Sequence, residues 1–247
     1  MPKRMAWEVR FAVALVSASV ALNALLYACY RDIHHILLWN LTSLAFLPVS
    51  VLVVTGFIDR LLAARDRAQR REKTGTLVGV FFSAVGMRLL DRCVALDPAP
   101  GPLREAFGSA AAWERYDPAR AAAVLAAHGF DLAPAAAHLQ DLHDLLREQR
   151  DFLVRLLENP ILLEHESFTD LLRAVLHLAE ELGYRPSFQD LPASDVRHLA
   201  GDLVRVYGQL AREWVAYLNE LRHTYPYLFS LAVRTNPLAE RPSAVVQ

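Results

Sequence analysis

Residues 36–57 read ILLWNLTSLAFLPVSVLVVTGF, an apolar run without a single charged side chain. A bilayer core about 30 Å thick needs about 20 apolar residues of helix to cross it, so this run is long enough. Basic residues follow it closely, at Arg60, Arg65, Arg67, Arg70, Arg71 and Lys73. The stretch therefore predicts a membrane helix that ends at a positively charged surface.

A second uncharged run, FAVALVSASVALNALLYA at residues 11–28, comes earlier and follows Lys3, Arg4 and Arg10. Only residues 29–35 separate the two runs, which leaves room for a tight turn alone. We therefore predict an antiparallel transmembrane hairpin over residues 1–58, with helices at about 9–29 and 36–58. Because both outer flanks are basic, the positive-inside rule places both termini in the cytoplasm, and we expect a multi-pass protein of the bacterial inner membrane.

The first run has an alternative interpretation as a cleaved leader. Its basic start, its apolar centre and the tetrapeptide LYAC at residues 26–29 resemble a signal or lipoprotein sequence. Tyr27 and Glu8 fit such a leader poorly, which favours a retained helix.

Asn40, Thr42 and Pro48 interrupt the second run. Pro48 lacks a backbone donor and should kink the helix, which membrane helices tolerate. Asn23 and Asn40 could hydrogen-bond between the two helices, and this favours a role in helix packing. The alternative is a polar lining for an ion or water path, although neither run contains an Asp, Glu, Lys or Arg inside it.

Residues 58–73 contain no Gly or Pro, so the second helix should continue as a basic stalk. From Arg65 onward every face is polar, and Asp66 precedes Arg70 by four residues, in the favourable order for a helix. We expect the stalk arginines to meet anionic lipid headgroups. The alternative is a charged face that is merely solvated.

A third apolar segment lies at residues 74–96, and with the stalk it forms the predicted region 59–96. Gly75, Gly79 and Ser83 should line one helix face and would let another backbone approach closely. Three interpretations stay open: a buried helix of the soluble core or of an oligomer seam, an interfacial helix, and a re-entrant or third membrane segment.

Leucines spaced by three and four predict a cytoplasmic α-helical bundle over residues 97–235, and the fold class is all-α. Asp117-Pro118 and the capping-box pattern at 167–170 mark helix starts. Asn236-Pro237 begins a tail, 236–247, that we expect to be disordered. The predicted helices lie at about 103–112, 118–128, 134–158, 167–183 and 192–225, with a short one at 227–233.

Composition argues against several classes of function. A net charge of −1 lacks the basic excess typical of nucleic-acid-binding domains. The two cysteines, Cys29 and Cys93, fall at opposite ends of the predicted hairpin, so no disulfide framework or Cys-ligated metal cluster is indicated. Phosphate-binding and dinucleotide-binding motifs are absent from the sequence.

The most chemical stretch contains His165 and Glu166, followed by His177 and Glu180 one helical turn apart. Helical bundles bind metals through a repeated Glu-x-x-His pattern, whereas this chain has His-x-x-Glu once. We therefore predict no metal site and interpret these residues as solvent-facing or helix-terminal. Two further pairs stand out: His138 and His143, five apart and poorly placed to share a helix face, and His198 and Asp202, four apart, which we predict to form a surface pair.

The aromatic residues are interpreted as core or interface anchors: Trp113, Trp214, Tyr225, Tyr227 and Phe229. The last three could instead pack against the stalk or the membrane surface. No Ser, Cys or Thr lies beside an identifiable base, so we predict no enzymatic activity, no cofactor and no catalytic residue.

Three stretches resemble a known family: GVFFSAVGMRLL (79–90), ENPILLEHESFTDLL (158–172) and YPYLFSLAVRTNP (225–237). They are similar to segments of a family of uncharacterised bacterial and archaeal proteins with two N-terminal membrane helices and a helical C-terminal part. The resemblance covers most of the chain. It supports the architecture and implies no activity and no site residue.

These patterns together predict a membrane-anchored helical scaffold, sensor or regulatory interaction domain. We expect it to contact the bilayer, to form a homo-oligomer and to bind a protein partner through helix surfaces. The alternative is a homo-oligomeric ion channel or pore, with Asn40, Thr42 and Ser43 as candidate lining.

Overall fold

The computed structural model describes residues 2–245, with side chains described for residues 10–29, 31–65 and 73–245. Every regular element within residues 2–245 is helical, which confirms the predicted all-α class. The chain divides into two units, residues 1–67 and 68–247. Each unit is described separately below.

Two long apolar helices build the first unit: α1 (Pro2–Tyr30), and α2 (Ile33–Phe81) as far as Arg67. Asp32 starts α2, because its Oδ1 accepts hydrogen bonds from the backbone N–H groups of His34 and His35 at 3.0 and 3.1 Å. Within these helices, the segments Arg10–Cys29 and Ile33–Arg65 are long and apolar enough to cross a membrane. Two N-terminal apolar helices are therefore confirmed, and both are longer than predicted.

The predicted hydrogen bond between the two apolar helices is present. Asn40 Nδ2 donates to Asn23 Oδ1 at 2.8 Å. Thr42 and Ser50 instead donate to carbonyls of their own helix, at Leu38 and Phe46. Pro48 lies within α2 without ending it.

The second apolar helix continues through the stalk, as predicted: α2 runs without interruption to Phe81. The expected pairing of Asp66 with Arg70, and the expected lipid contacts of Arg67, Arg70 and Arg71, fall on side chains outside those that the structure describes. The side chains of Lys3 and Arg4, used above for the orientation, also lie outside the described side chains.

The second unit comprises the end of α2, a short π-helix and nine further α-helices. The π-helix spans Phe82–Gly86 and is closed by a bond from the Met87 N–H to the Phe82 carbonyl. The α-helices are α3 (Met87–Leu96), α4 (Gly101–Phe107), α5 (Ala110–Glu114), α6 (Pro118–Ala127), α7 (Ala136–Leu157), α8 (Pro160–Leu163), α9 (Glu166–Gly183), α10 (Ala193–Thr224) and α11 (Pro226–Arg234).

The third apolar segment lies in the core of this second unit, which is one of the three interpretations left open above. Six of its apolar side chains are almost completely buried: Phe81, Phe82, Val85, Leu89, Leu90 and Cys93. The glycine face receives side chains of α10, because Gly75 and Gly79 lie against Glu220 and Tyr217. Ser83, predicted to share that face, is exposed.

The predicted leucine seams form the rest of the core. Helix α9 packs between α7 and α10 and buries Leu171, Val175, Leu178 and Leu182. The seam of α7 is equally buried, at Leu139, Leu142, Leu146, Leu153 and Leu156. The 3-4 spacing therefore identified the buried faces of the long helices correctly.

Two helix starts were predicted wrongly. The helix expected at 103–112 is two helices, α4 and α5, because the Ser109 side chain caps a new helix. The capping box at 167–170 is not one: the N-cap of α9 is His165, two residues before Ser167, and its imidazole accepts the bond from the Phe168 N–H. Thr169 lies inside α9, where its hydroxyl donates to the Leu162 carbonyl at 2.7 Å.

The prediction of disorder from residue 236 onward is wrong for the first residues of the tail. Asn236 and Leu238 are fully buried. The Asn236 side chain accepts a bond from Trp214 Nε1 at 2.9 Å and donates to the Phe107 carbonyl at 2.7 Å. These hydrogen bonds attach the tail to α10 and α4.

Candidate functional site

The histidines singled out by the sequence do not come together as one site. His165 caps α9, and His138 accepts a bond from the Ala135 N–H at the start of α7. His143 contacts its neighbour Asp144. Among the residues that the structure describes, no group of three or more His, Cys, Asp or Glu side chains could hold a metal ion.

His177 and His198 do meet, at a chain of charged side chains between the C-terminal half of α9 and the first turns of α10. We call this the α9–α10 charge cluster. Its members are His177, Glu181, Arg185, Asp195, His198, Asp202 and Arg205.

Asp202 is the buried centre of this cluster, with only 4% of its surface exposed. Its Oδ2 lies 3.4 Å from His177 Nε2 and 3.5 Å from His198 Nε2. Its Oδ1 accepts a hydrogen bond from Arg205 Nη1 at 3.0 Å. A buried carboxylate is costly unless cations or donors surround it. Arg205 supplies a hydrogen bond to Oδ1, whereas the two imidazoles lie at ion-pair distance from Oδ2 without making a hydrogen bond to it.

Arg185 links the two helices at the other end of the cluster. Its guanidinium donates to both carboxylate oxygens of Asp195, at 2.8 and 2.6 Å, and to Glu181 Oε2 at 3.0 Å. These hydrogen bonds hold the pKa values of both carboxyl groups, Glu181 and Asp195, below their ordinary values. A bidentate pair of this kind fixes the relative orientation of the Arg185 and Asp195 side chains and also stabilises the carboxylate charge.

Sequence reasoning found only part of this cluster. The spacing of His198 and Asp202 did predict their pairing, but the expected surface contact involves a buried carboxylate. His177 pairs with Asp202 on the next helix and not with Glu180 one turn away. No local pattern signals a partner 25 positions later, because that contact depends on how α9 and α10 pack.

A second polar network lies inside the core and was missed entirely. Asp97 Oδ2 lies 2.7 Å from His128 Nε2 and accepts a bond from the Tyr207 hydroxyl at 2.8 Å. Asp97 Oδ1 accepts from the Ala99 N–H at 2.8 Å. Burial, and then the bond to Asp97, raise the pKa of Tyr207. The network joins the 97–100 loop, the end of α6 and the middle of α10, so its role is structural.

The aromatic anchors divide into buried and exposed groups. Trp113 and Trp214 are buried, and Phe229 packs edge-to-face on Trp113 with ring centroids 5.6 Å apart. Tyr227 is exposed, together with Leu228 and Leu231 on the same helix. Helix α11 is therefore held in place by one face only.

The described cluster offers charge pairing beside two half-exposed imidazoles. The cluster contains no Ser, Thr or Cys side chain. Elsewhere in the second unit, Ser167 Oγ lies 3.4 Å from His165 Nδ1, which corrects the prediction that no Ser lies beside a base. Cys93 is buried, and burial raises the pKa of its thiol. What the geometry provides is a surface of paired acidic and basic side chains across two packed helices.

Comparison with known proteins agrees with the resemblance noted above. Residues 3–62 match a family model described as the N-terminal helical domain of MJ1433, and residues 70–234 match one described as the C-terminal helical domain of the uncharacterised protein MJ1433. A protein of Methanocaldococcus jannaschii, described as "Uncharacterized protein MJ1433", is 37% identical over 226 residues, which cover 92% of this chain and 91% of that protein. No solved structure matches the chain. The chain belongs to the MJ1433 family.

Proposed function

We propose that this protein is a membrane-anchored helical interaction domain, a scaffold, sensor or regulator without enzymatic activity. One observation carries the proposal. The apolar side chains of the first unit are exposed throughout both candidate membrane spans, whereas the second unit has a closed core of its own.

The exposed side chains of the first unit are too large and too many for a surface in water. Trp39 is 70% and Leu52 is 74% exposed, and similar values recur along α1 and α2. Each Å² of apolar surface left in water forfeits about 25 cal/mol, so a surface of this kind favours insertion in a bilayer. Helices are suited to that environment because they satisfy their backbone hydrogen bonds internally.

The charge pattern supports an orientation. Arg10 begins the first span, and Arg60 and Arg65 lie in the last turns of the second, where the basic stalk begins. The positive-inside rule then places the second unit in the cytoplasm, with the stalk arginines near anionic headgroups. The turn at Arg31 and Asp32 would face the opposite side of a bacterial inner membrane.

The interaction role rests on the α9–α10 charge cluster. Half-exposed His177, His198 and Arg205 offer polar contacts on a two-helix surface. Such a surface suits recognition of a partner protein by charge complementarity.

No observation favours the alternative of a channel. The Thr42 hydroxyl bonds to its own helix, and Asn40 bonds to Asn23 of the neighbouring helix. Asn40 is thus engaged in helix packing and Thr42 in its own helix, which leaves fewer polar groups for a pore.

The test is accessibility of single cysteines in intact cells. Cys29 lies exposed at the turn end of the first unit, and Cys93 is buried. A membrane-impermeant maleimide added outside spheroplasts should label the wild-type protein, and Cys29→Ser should abolish labelling.

The matched control places a cysteine on the stalk, as Lys73→Cys in the Cys29→Ser background. It should be labelled only in inverted vesicles. Labelling of Lys73→Cys from outside would overturn the orientation, and complete release of the protein by alkaline carbonate would overturn the membrane anchor.

A further inference from the structure

Asn23 and Asn40 carry hydrogen-bonding capacity that the hairpin alone does not use. We infer that this pair is the intramembrane docking point for a second copy of the chain. The inference rests on the proposed function, since it requires the hairpin to lie in a bilayer.

The bonds of the two amides can be counted atom by atom. Asn40 Nδ2 uses both hydrogens, one for Asn23 Oδ1 and one for the Ile36 carbonyl, each at 2.8 Å. Asn23 Nδ2 donates to the Ser19 carbonyl at 3.0 Å. One N–H of Asn23 and the Oδ1 of Asn40 therefore have no partner among the residues that the structure describes.

These two unused groups lie at membrane depth. Asn23 precedes the end of α1 at Tyr30 by seven residues, about 10 Å along a helix with a rise of 1.5 Å per residue. That distance places the pair inside a hydrocarbon layer about 30 Å thick, where water cannot satisfy an amide.

The unused groups are complementary to each other, which identifies the partner. A two-fold axis beside the pair would bring the free Asn23 N–H of one copy to the free Asn40 Oδ1 of the other, and the reverse. Contacts of this reciprocal kind are the rule in symmetric dimers. No other partner chemistry is needed to satisfy both amides.

The space beside the pair is suitable for such a neighbour. A cleft of about 640 Å³ opens between α1 and α2, and its residues are Asn23, Leu26, Asp32, His35, Ile36, Trp39 and Asn40. The apolar side chains in it suit a membrane helix, and the polar groups Asp32 and His35 lie toward the turn. A helix of a second copy would fill the cleft while its amides complete the hydrogen bonds.

The decisive experiment compares self-association of full-length variants in detergent or nanodiscs, by light-scattering mass and sedimentation over a range of protein-to-detergent ratios. We expect a dimer or larger complex for the wild type. Asn40→Leu should associate about tenfold more weakly, because two interhelical hydrogen bonds of modest strength are lost. Asn40→Gln, which keeps the amide, should restore association.

Ser50→Ala is the matched control, because Ser50 lies in the same helix and bonds only to the Phe46 carbonyl of that helix. It should associate like the wild type. A wild-type protein that stays monomeric at every ratio, or Asn40→Leu that associates as strongly as Ser50→Ala, would overturn the inference.

Disulfide crosslinking between copies tests the same docking point without altering the asparagines. In the Cys29→Ser background, Trp39→Cys, at the cleft, should crosslink between copies in membranes. Leu52→Cys, at the far end of the span, should do so much less. Equal crosslinking at both positions, or none at position 39, would contradict a docking point at Asn23 and Asn40.

Carbonate extraction of every variant separates the two proposals. If Asn40→Leu stays in the membrane with unchanged mass, only the docking point fails. If the wild-type protein is itself extracted, the membrane anchor fails and the inference fails with it.

Discussion

The Trp214 indole N–H donates to Asn236 Oδ1 at 2.9 Å inside the core of the second unit. The same asparagine donates to the Phe107 carbonyl and accepts from the Leu238 N–H at 3.0 Å. One side chain thus joins α4, α10 and the segment after α11. Removal of the Asn236 side chain should therefore weaken the packing of all three segments.

Replacement of Asn236 by Ala should lower the free energy of unfolding by about 2–4 kcal/mol, because buried donors and acceptors left unpaired cost about 1–3 kcal/mol each. Thermal or urea unfolding of the detergent-solubilised chain measures this change. Asn219→Ala on α10, outside this network, is the control and should change stability by less than about 0.5 kcal/mol.

Truncation tests the same finding from the chain terminus. A chain ending at Thr235 should be as destabilised as Asn236→Ala or more, whereas a chain ending at Glu240 keeps the buried Asn236 and Leu238 and should unfold close to the wild type. Equal stability of the two truncated chains would show that residues 236–240 contribute nothing to the core.

Gly86 should not tolerate a methyl group, although it lies in a helical stretch. A Cβ there would lie 2.6 Å from Phe82 Cδ1 and 2.8 Å from Phe81 Cε1. Both rings are buried and closely packed, so they cannot move away cheaply. Gly86→Ala should therefore destabilise by about 1–3 kcal/mol, as overpacked cores do.

Gly201 on α10 provides the matched substitution, because nothing lies within 4 Å of a Cβ at that position. Gly201→Ala should stabilise the chain by about 0.4–1 kcal/mol through helix propensity alone. Opposite signs for the two Gly→Ala changes, in parallel thermal melts, are the expected result. Stabilisation by both would show that the packing at Phe81 and Phe82 is looser than described.

The sequence predicted those features that depend on local periodicity and composition. The two apolar helices, the seams of α7 and α9, and the cap at Asp117 all follow from residues within a few turns of one another. The start of α9 was missed because His165 caps it, and histidine is not among the preferred capping residues.

Contacts between distant residues could not be predicted in this way. Asp97 meets Tyr207 across 110 positions, and Asn236 meets the Phe107 carbonyl across 129. A DPAPG loop and an Asn-Pro pair both indicate turns, and the polar side chains in them look solvated until packing is known. Of the candidate site, only the His198–Asp202 pairing was accessible from spacing on one helix.

Alkaline pH should destabilise the second unit through Tyr207. Its folded-state pKa is raised by burial and by its bond to Asp97, while the side chain in the unfolded state has a pKa of about 10. Above that pH the unfolded state binds fewer protons than the folded state, so stability falls as pH rises, by up to about 1.4 kcal/mol per pH unit.

Tyr207→Phe should remove this contribution and flatten the decline above about pH 10, while lowering stability at neutral pH because Asp97 loses a donor. Tyr184→Phe, at an exposed position, should leave the slope unchanged. Urea unfolding at several alkaline pH values measures both effects, and identical slopes for Tyr207→Phe and the wild type would contradict the assignment.

Acidic pH should also destabilise the second unit, in this case through the α9–α10 charge cluster, where stability falls as pH falls. Arg185 lowers the folded-state pKa values of Glu181 and Asp195, whereas unfolded carboxyl groups titrate near about pH 4. Stability from these pairs is therefore present above about pH 4 and is lost as pH falls through the lowered folded-state values.

In Arg185→Ala, carbon-detected NMR titration of the second unit's carboxyl groups should show the pKa values of Glu181 and Asp195 returning toward the ordinary range. Arg173→Ala is the control, because Arg173 pairs with Asp170 on another part of α9. Unchanged titration of Glu181 and Asp195 in Arg185→Ala would mean that Arg185 does not bridge the two helices in solution. The expected shift, together with a shallower loss of stability below about pH 4, would show that this bridge holds the start of α10 against the end of α9.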